Sequence, residues 1–222
     1  QYKAIYAVEP VRERIEFMNL RFRQQGCRNI KLIRSDIDNL PLPEGSFDLV
    51  VLNGLLEWLP FGKRDMSPHG VQIYYLRLLR KLLNKNGYIY IGIENRFYYG
   101  HFVGHCDPHI PVSYVTVLPR PLADLICRYK IGDIYRPYLY SHRGYRQLLR
   151  DAGFQDIEIY SALPSYNDPQ YLICMKSSSI EFNGLILTSE RKAARFMRKI
   201  LLRTDNLKYF GYGYIILARN RQ

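Results

Sequence analysis

Glu94 and Asn95 stand directly after the apolar run Tyr88–Ile93, and Asp107-Pro108-His109 follows further along the same connection. A carboxylate or an imidazole at the end of a strand can take a proton from a hydroxyl nucleophile. A neighbouring amide can hold a substrate's hydroxyls. Glu94, Asn95 and His109 are therefore the candidate catalytic residues. Glu9, after Ala4–Val8, is a carboxylate of the kind that accepts hydrogen bonds from ribose hydroxyls. Asp36 could accept a bond from an adenine amino group while Ile37 packs on the ring, and Asn53-Gly54 forms another polar pair after Phe47–Leu52. These five complete a candidate cofactor set. His101, His105, Cys106 and His109 could hold zinc, but they lack the paired ligands of structural sites. A polar loop lining is expected there, and no metal is assigned. Glu57 and Trp58 lie beyond Asn53, with the single tryptophan expected to pack. The chain has no Ser-His-Asp order and no Gly-Lys-Ser/Thr phosphate loop.

The elements that must position these residues alternate. Ala4–Val8 reads as a strand, and residues 11–25 as a helix with Val11, Ile15, Met18 and Phe22 on one face. Ile30–Arg34 and Phe47–Leu52 are further strands, the latter unbroken enough to be buried on both faces. Ser67-Pro68 caps a helix running to about Asn84, Asn86-Gly87 ends it, and Tyr88–Ile93 follows as a strand. Pro121–Tyr129 and Ser141–Arg150 read as helices, then Ile157–Tyr160 and Tyr212–Ala218 as strands. Strands separated by helices mean βαβ units and a parallel sheet, with ligands at the carboxyl ends of its strands. Of the five strand-end clusters, Glu9, Ser35-Asp36-Ile37, Asn53-Gly54, Glu94-Asn95-Arg96 and Leu163-Pro164, four are polar directly after an apolar run. That marks a site.

The chain has 222 residues, 47% of them hydrophobic, and a formal charge of +12. It can bury a core, and no apolar run approaches the ~20 residues of a spanning helix. Four cysteines, at 27, 106, 127 and 174, are irregularly spaced, which suits reduced thiols in the cytoplasm. The positive excess would suit nucleic acid, anionic lipid headgroups or a phosphorylated substrate. It is spread along solvated helix faces, and no RNA-binding motif accompanies it. Residues 190–203 form a basic amphipathic helix, with Ala193, Phe196, Met197, Ile200 and Leu201 as its apolar stripe. Such a helix can lie on an anionic membrane surface or cover a sheet edge, and the second is the stronger expectation.

The stretch from Ser35-Asp36-Ile37 through Leu40-Pro41 to Phe47-Asp48-Leu49-Val50-Val51 resembles the class I S-adenosylmethionine-dependent methyltransferases. Leu82–Ile91 is similar to that family's helix, turn and fifth strand, and Leu148–Phe154 to its last helix. Tyr214–Asn220 is similar to its antiparallel seventh strand. The resemblance implies an α/β, Rossmann-like fold: a mostly parallel twisted sheet, helices on both faces, and an antiparallel last strand. It implies S-adenosylmethionine as cofactor, with Glu9, Asp36, Ile37, Asn53 and Gly54 around it. The family's glycine-rich loop is not among the eight residues before Glu9, so it is expected upstream of residue 1. Residues 1–222 then read as one domain without its first strand. Glu94-Asn95-Arg96-Phe97 with Asp107-Pro108-His109 resembles a subgroup from bacterial cell-surface polysaccharide contexts.

Residues 95–140 are expected as an insertion, since βα connections usually take about 2–6 residues. It carries Asn95, Arg96, His101, His105, His109, Arg120, Arg136, Tyr138 and Tyr140, with His142 just beyond it, suited to a lid over a sugar or phosphate. The implied reaction is methyl transfer to an oxygen or nitrogen of a small-molecule or saccharide acceptor. A nicotinamide-dependent oxidoreductase on the same sheet, or a non-catalytic basic RNA-binding scaffold, are the rivals.

Overall fold

The computed structural model describes residues 2–176 and 192–221. The chain divides into two compact units, Gln1–Pro43 and Glu44–Gln222. In the first, strand β1 (Ile5–Val8) and strand β2 (Ile30–Ile33) pair in parallel, joined by helix α1 (Arg12–Gln24). Ile15, Met18 and Phe22 are the half-buried positions of α1, at the three-and-four spacing of one helix face. A short 3-10 turn, Ile37–Asn39, follows β2.

The second unit is built on a five-stranded sheet. Its strands are β3 (Phe47–Asn53), β4 (Leu83–Glu94), β5 (Gln155–Pro164), β6 (Pro169–Cys174) and β7 (Gly213–Arg219), in the order β3-β4-β7-β5-β6. β3 and β4 pair in parallel, and β7 runs antiparallel between β4 and β5. β3, β4 and β5 therefore point the same way, and their carboxyl ends share one edge of the unit. The expected α/β class and the antiparallel last strand are both borne out. Helix α2 (Pro68–Leu82) buries Val71, Tyr75, Leu76 and Leu79, and helix α5 (His142–Asp151) buries Tyr145, Leu148 and Leu149. Each starts as its sequence requires: Ser67 Oγ accepts from Gly70 N at 3.1 Å, and Ser141 Oγ from Gly144 N at 3.3 Å.

Two boundaries differ from the sequence expectation. The α2 helix stops at Leu82, because Leu83 is already extended and pairs with Phe47. Asn86-Gly87 is then an irregularity inside β4 rather than a helix end. Asn86 takes a left-handed φ of 72°, and Asn220 closes the bend: Asn86 N donates to Asn220 O, and Asn220 N to Gly87 O, both at 2.8 Å. Strand β6 was not expected. It is an edge strand in which only Ile173 is fully buried, so no alternation announces it.

The insertion carries α3 (Tyr99–Phe102) and α4 (Arg120–Ile131), and it has its own packed core of Ile110, Val112, Val115, Ala123, Cys127 and Tyr135. Its cations tie it together. Arg96 donates to the carbonyls of Thr116 and Leu118, at 2.9 and 2.6 Å. Arg120 lies 3.8 Å above the Tyr138 ring, and Arg136 pairs with Asp133 at 2.9 Å. Helix α6 (Lys192–Arg203) packs Ala194, Met197, Leu201 and Leu202 against Tyr99, Leu163 and Ile173, before the short α7 (Leu207–Phe210). Its buried stripe is thus one position off the expected one, leaving Phe196 and Ile200 exposed. The first two residues of that expected helix, Glu190 and Arg191, lie outside the described residues. Among the described residues, no helix is long and apolar enough to cross a membrane.

Candidate active site

The carboxyl ends of three strands bring one polar cluster together inside the second unit. β4 ends on Glu94. The turn after β3 carries Glu57, the loop after β5 carries Tyr166, and the insertion contributes Asp107 and His109. Glu57 is 1% exposed and Glu94 5%. One ligand-type atom from each of Glu57, Glu94 and His109 lies within 4.8 Å of the others. His109 Nε2 is 3.6 Å from Glu57 Oε1, an ion-pair distance without a hydrogen bond.

Asp107 fixes the imidazole. Its Oδ1 is 2.7 Å from His109 Nδ1 and accepts from the His109 backbone N–H at 2.8 Å. Its Oδ2 accepts from the Tyr135 hydroxyl at 2.6 Å and from Thr116 Oγ1 at 3.3 Å. Four bonds to one buried carboxylate set the ring's orientation, and Trp58 holds its other side in an edge contact with centroids 4.7 Å apart. Glu94 Oε1 accepts from the Tyr166 hydroxyl at 2.8 Å, while Tyr145 donates to the Glu94 carbonyl at 2.9 Å. Glu94 Oε2 and both Glu57 oxygens are buried without a hydrogen-bond partner. A buried carboxylate oxygen left without a donor is costly, and native sites rarely leave one idle.

Charge in this enclosure is shared unevenly. Burial and the Glu57 charge push the Glu94 carboxyl up to about 7. Burial opposes the charged imidazole, but the bond to Asp107 and the nearby Glu57 and Glu94 carboxylates outweigh it, and His109 is pushed up to about 10. Burial opposes ionisation of Asp107 too, yet its bonds from His109 and Tyr135 hold it below the usual carboxylate range. His109 is therefore a cation among carboxylates near neutral pH, not a free base. Glu94 is the group whose titration falls near neutrality.

Two glycines let the cluster close. At Gly92 a Cβ would collide with Asn53 Oδ1 and stand 2.9 Å from the Tyr166 ring. At Gly54, whose φ is +62°, a Cβ would stand 3.0 Å from the Tyr166 hydroxyl and 3.7 Å from Glu57 Oε1. Gly54 is half-buried and lies beside Tyr166 and Glu57.

Of the residues expected from sequence, Glu94 and His109 come together, and Asn53 and Gly54 border them. Asn95 turns away. Its Nδ2 donates to the carbonyls of Tyr209 and Gly211, at 2.9 and 3.0 Å, and its Oδ1 accepts from Phe97 N at 3.0 Å. With no exposed surface, it straps the start of the insertion to the segment before β7. The four-residue zinc alternative does not assemble. His101 faces the His105 carbonyl and Cys106 faces Ser113, and the one such metal-competent group among the described residues is Glu57, Glu94 and His109. Glu57, Asp107 and Tyr166 were not assigned from sequence. Tyr166 follows Leu163-Pro164, a strand end, and that position was its signal.

The remaining cofactor candidates lie in the first unit. Glu9 ends β1; its Oε1 accepts from Val11 N at 2.9 Å, and its Oε2 is 3.6 Å from the mostly exposed Arg14. A carboxylate has about four acceptor sites, so capacity for ribose hydroxyls remains. Asp36 is exposed, with no side-chain bond to the 3-10 turn it precedes, and Ile37 beside it is half-buried. These side chains fit the adenosine part of the expected cofactor.

Residues 1–91 match the family described as methyltransferase domain. No curated protein matches the chain. Among solved structures, an S-adenosylmethionine-dependent methyltransferase from Thermotoga maritima is 16% identical, with a TM-score of 0.51 over 97% of this chain and 72% of that one. An S-adenosylmethionine-dependent methyltransferase from Mesorhizobium loti is 16% identical, with a TM-score of 0.50 over 98% of this chain and 80% of that one. A chain from the Haloferax volcanii complex of the Trm112 methyltransferase activator with a methyltransferase is 14% identical, with a TM-score of 0.52 over 99% of this chain and 73% of that one. At such identities the likeness concerns the fold. Residues 1–91 thus resemble a methyltransferase domain, and the described chain carries the fold of S-adenosylmethionine-dependent methyltransferases.

Proposed function

We propose that the protein transfers the methyl group of S-adenosylmethionine to a hydroxyl oxygen of a small-molecule acceptor, a saccharide foremost. The observation that carries this reading is the set of buried carboxylate oxygens on Glu57 and Glu94 that lack a donor. Hydroxyl groups entering past Gly54 would supply the missing donors. The half-exposed Trp58, set against His109, offers an apolar face beside them for a ring.

When bound, the cofactor supplies an electrophilic methyl carbon on a sulfonium. The acceptor oxygen forms the new carbon–oxygen bond, the carbon–sulfur bond breaks with its electron pair staying on sulfur, and the hydroxyl proton goes to Glu94. A carboxyl poised near neutrality is matched to that transfer. His109, oriented by Asp107, stands 3.6 Å from Glu57 and would fix where the acceptor hydrogen-bonds. Glu9, Asp36 and Ile37 would hold the adenosine, and residues 95–140 would select the acceptor.

The test is labelled-methyl transfer to a panel of hydroxylated acceptors by the full-length protein and its Glu94→Gln variant. Transfer should fall by ~10² or more while donor affinity stays within a few-fold. Unchanged transfer in the variant would overturn the assignment of Glu94.

A further inference from the structure

We infer that Glu57, Glu94 and His109 form a binding site for a divalent cation of the manganese–zinc class. The three side chains come from three separate segments and present their ligand atoms within 4.8 Å of one another, a span a small contraction about an ion would close. Each is buried, and the donor set of two carboxylates and one imidazole suits that class. Two independent features point to a cation. The first is that both oxygens of the 1%-exposed Glu57, and one of Glu94, are buried with no hydrogen-bond donor. The second is the backing of the imidazole. His109 turns Nδ1 to Asp107, itself fixed by Tyr135 and Thr116, which leaves Nε2 facing Glu57. A carboxylate behind the far nitrogen is how a metal-binding imidazole is oriented and kept in the correct tautomer.

The charge sum leads to the same place. Asp107, Glu57 and Glu94 enclose one imidazole, so three negative groups surround at most one positive one. A divalent ion held by these atoms would offset a buried excess of that sign. Three protein ligands leave positions open on the ion, toward Gly54. That the ion takes acceptor oxygens there rests on the methyl-transfer reading, and a vicinal diol is the acceptor that would fill two such positions. With the ion bound, Glu94 would serve as its ligand in place of accepting the proton, and the ion would lower the pKa of the acceptor hydroxyl so that its proton leaves to solvent.

The experiment is titration of chelator-treated full-length protein with Mn²⁺, followed by electron paramagnetic resonance, with Zn²⁺ and Mg²⁺ as competitors. The expected result is one saturable Mn²⁺ site per chain, displaced by Zn²⁺ more readily than by Mg²⁺. Glu57→Gln should abolish it, and Asp107→Asn should weaken it by ~10–100-fold, with circular dichroism showing both variants folded. Absence of saturable binding in the wild-type protein would overturn the site, as would full binding by folded Glu57→Gln. Methyl transfer that persists in chelator with no bound ion would refute the ion's role and leave the carboxylate reading standing. A wild-type protein that binds the ion but transfers no methyl group to any hydroxylated acceptor would refute the methyl-transfer reading and leave the ion site standing.

Discussion

Replacing Asp107 by Asn should be the most damaging single polar change in the second unit. Asp107 is 3% exposed and accepts four bonds, from His109 Nδ1, His109 N, the Tyr135 hydroxyl and Thr116. An Asn amide keeps one oxygen and turns the other position into a donor, facing a tyrosine and a threonine that were themselves donating. The imidazolium also loses the carboxylate that offsets its burial. Breaking one partner of a buried ion pair costs about 3–5 kcal/mol. For a chain of this size each kcal/mol moves the midpoint by ~2–4 °C, so the melting temperature should fall by roughly 6–20 °C. Thermal unfolding followed by circular dichroism, with chelator present, measures this directly. A change worth less than ~1 kcal/mol would mean that His109 is not held by a buried charged bond, and the site's electrostatics would have to be redrawn.

Gly92→Ala should destabilise by ~1–3 kcal/mol in urea unfolding, because its Cβ would overlap Asn53 Oδ1 and crowd Tyr166. Gly62→Ala, whose nearest neighbour would be 3.6 Å away, is the control and should shift the midpoint far less. Stability in chelator should fall as pH rises from about 5 to 9. Glu94 binds its proton up to about 7 when folded against an ordinary 4.5, and His109 up to about 10 against 6.5, so the folded state holds more protons across both windows. Both contributions are complete at the acid end. A flat or rising profile over that range contradicts these assignments, and Glu94→Gln with His109→Gln should flatten it.

Much of the fold was legible because its signals are local. Apolar runs such as Phe47–Leu52 and Tyr88–Ile93 mark strands wherever they occur, and Ser67-Pro68 and Ser141 announce helix starts through bonds made within one turn. Glu94 was legible for the same reason: a charge directly after such a run has to sit at a strand end. His109 was reached as an imidazole on the connection that follows the same strand. Glu57 carried no such mark, since its burial comes from packing under an insertion some fifty residues away in sequence rather than from its neighbours. Tyr166 depends on space left by Gly92 and on Glu94, 72 residues before it, and no window along the chain contains both. Asn95 misled for the converse reason. It occupies a strand end, but its amide is consumed by the carbonyls of Tyr209 and Gly211, and backbone acceptors leave no trace in residue type.

Methylation of a hydroxyl oxygen at the Glu57–Glu94–His109 cluster can be observed in a single turnover with donor carrying a ¹³C-labelled methyl group, read by NMR of the product. The wild-type protein should give an O-methyl resonance on a saccharide acceptor, lost in a folded Glu94→Gln variant that still binds donor. An N-methyl product, or the same O-methyl signal from the variant, would contradict it.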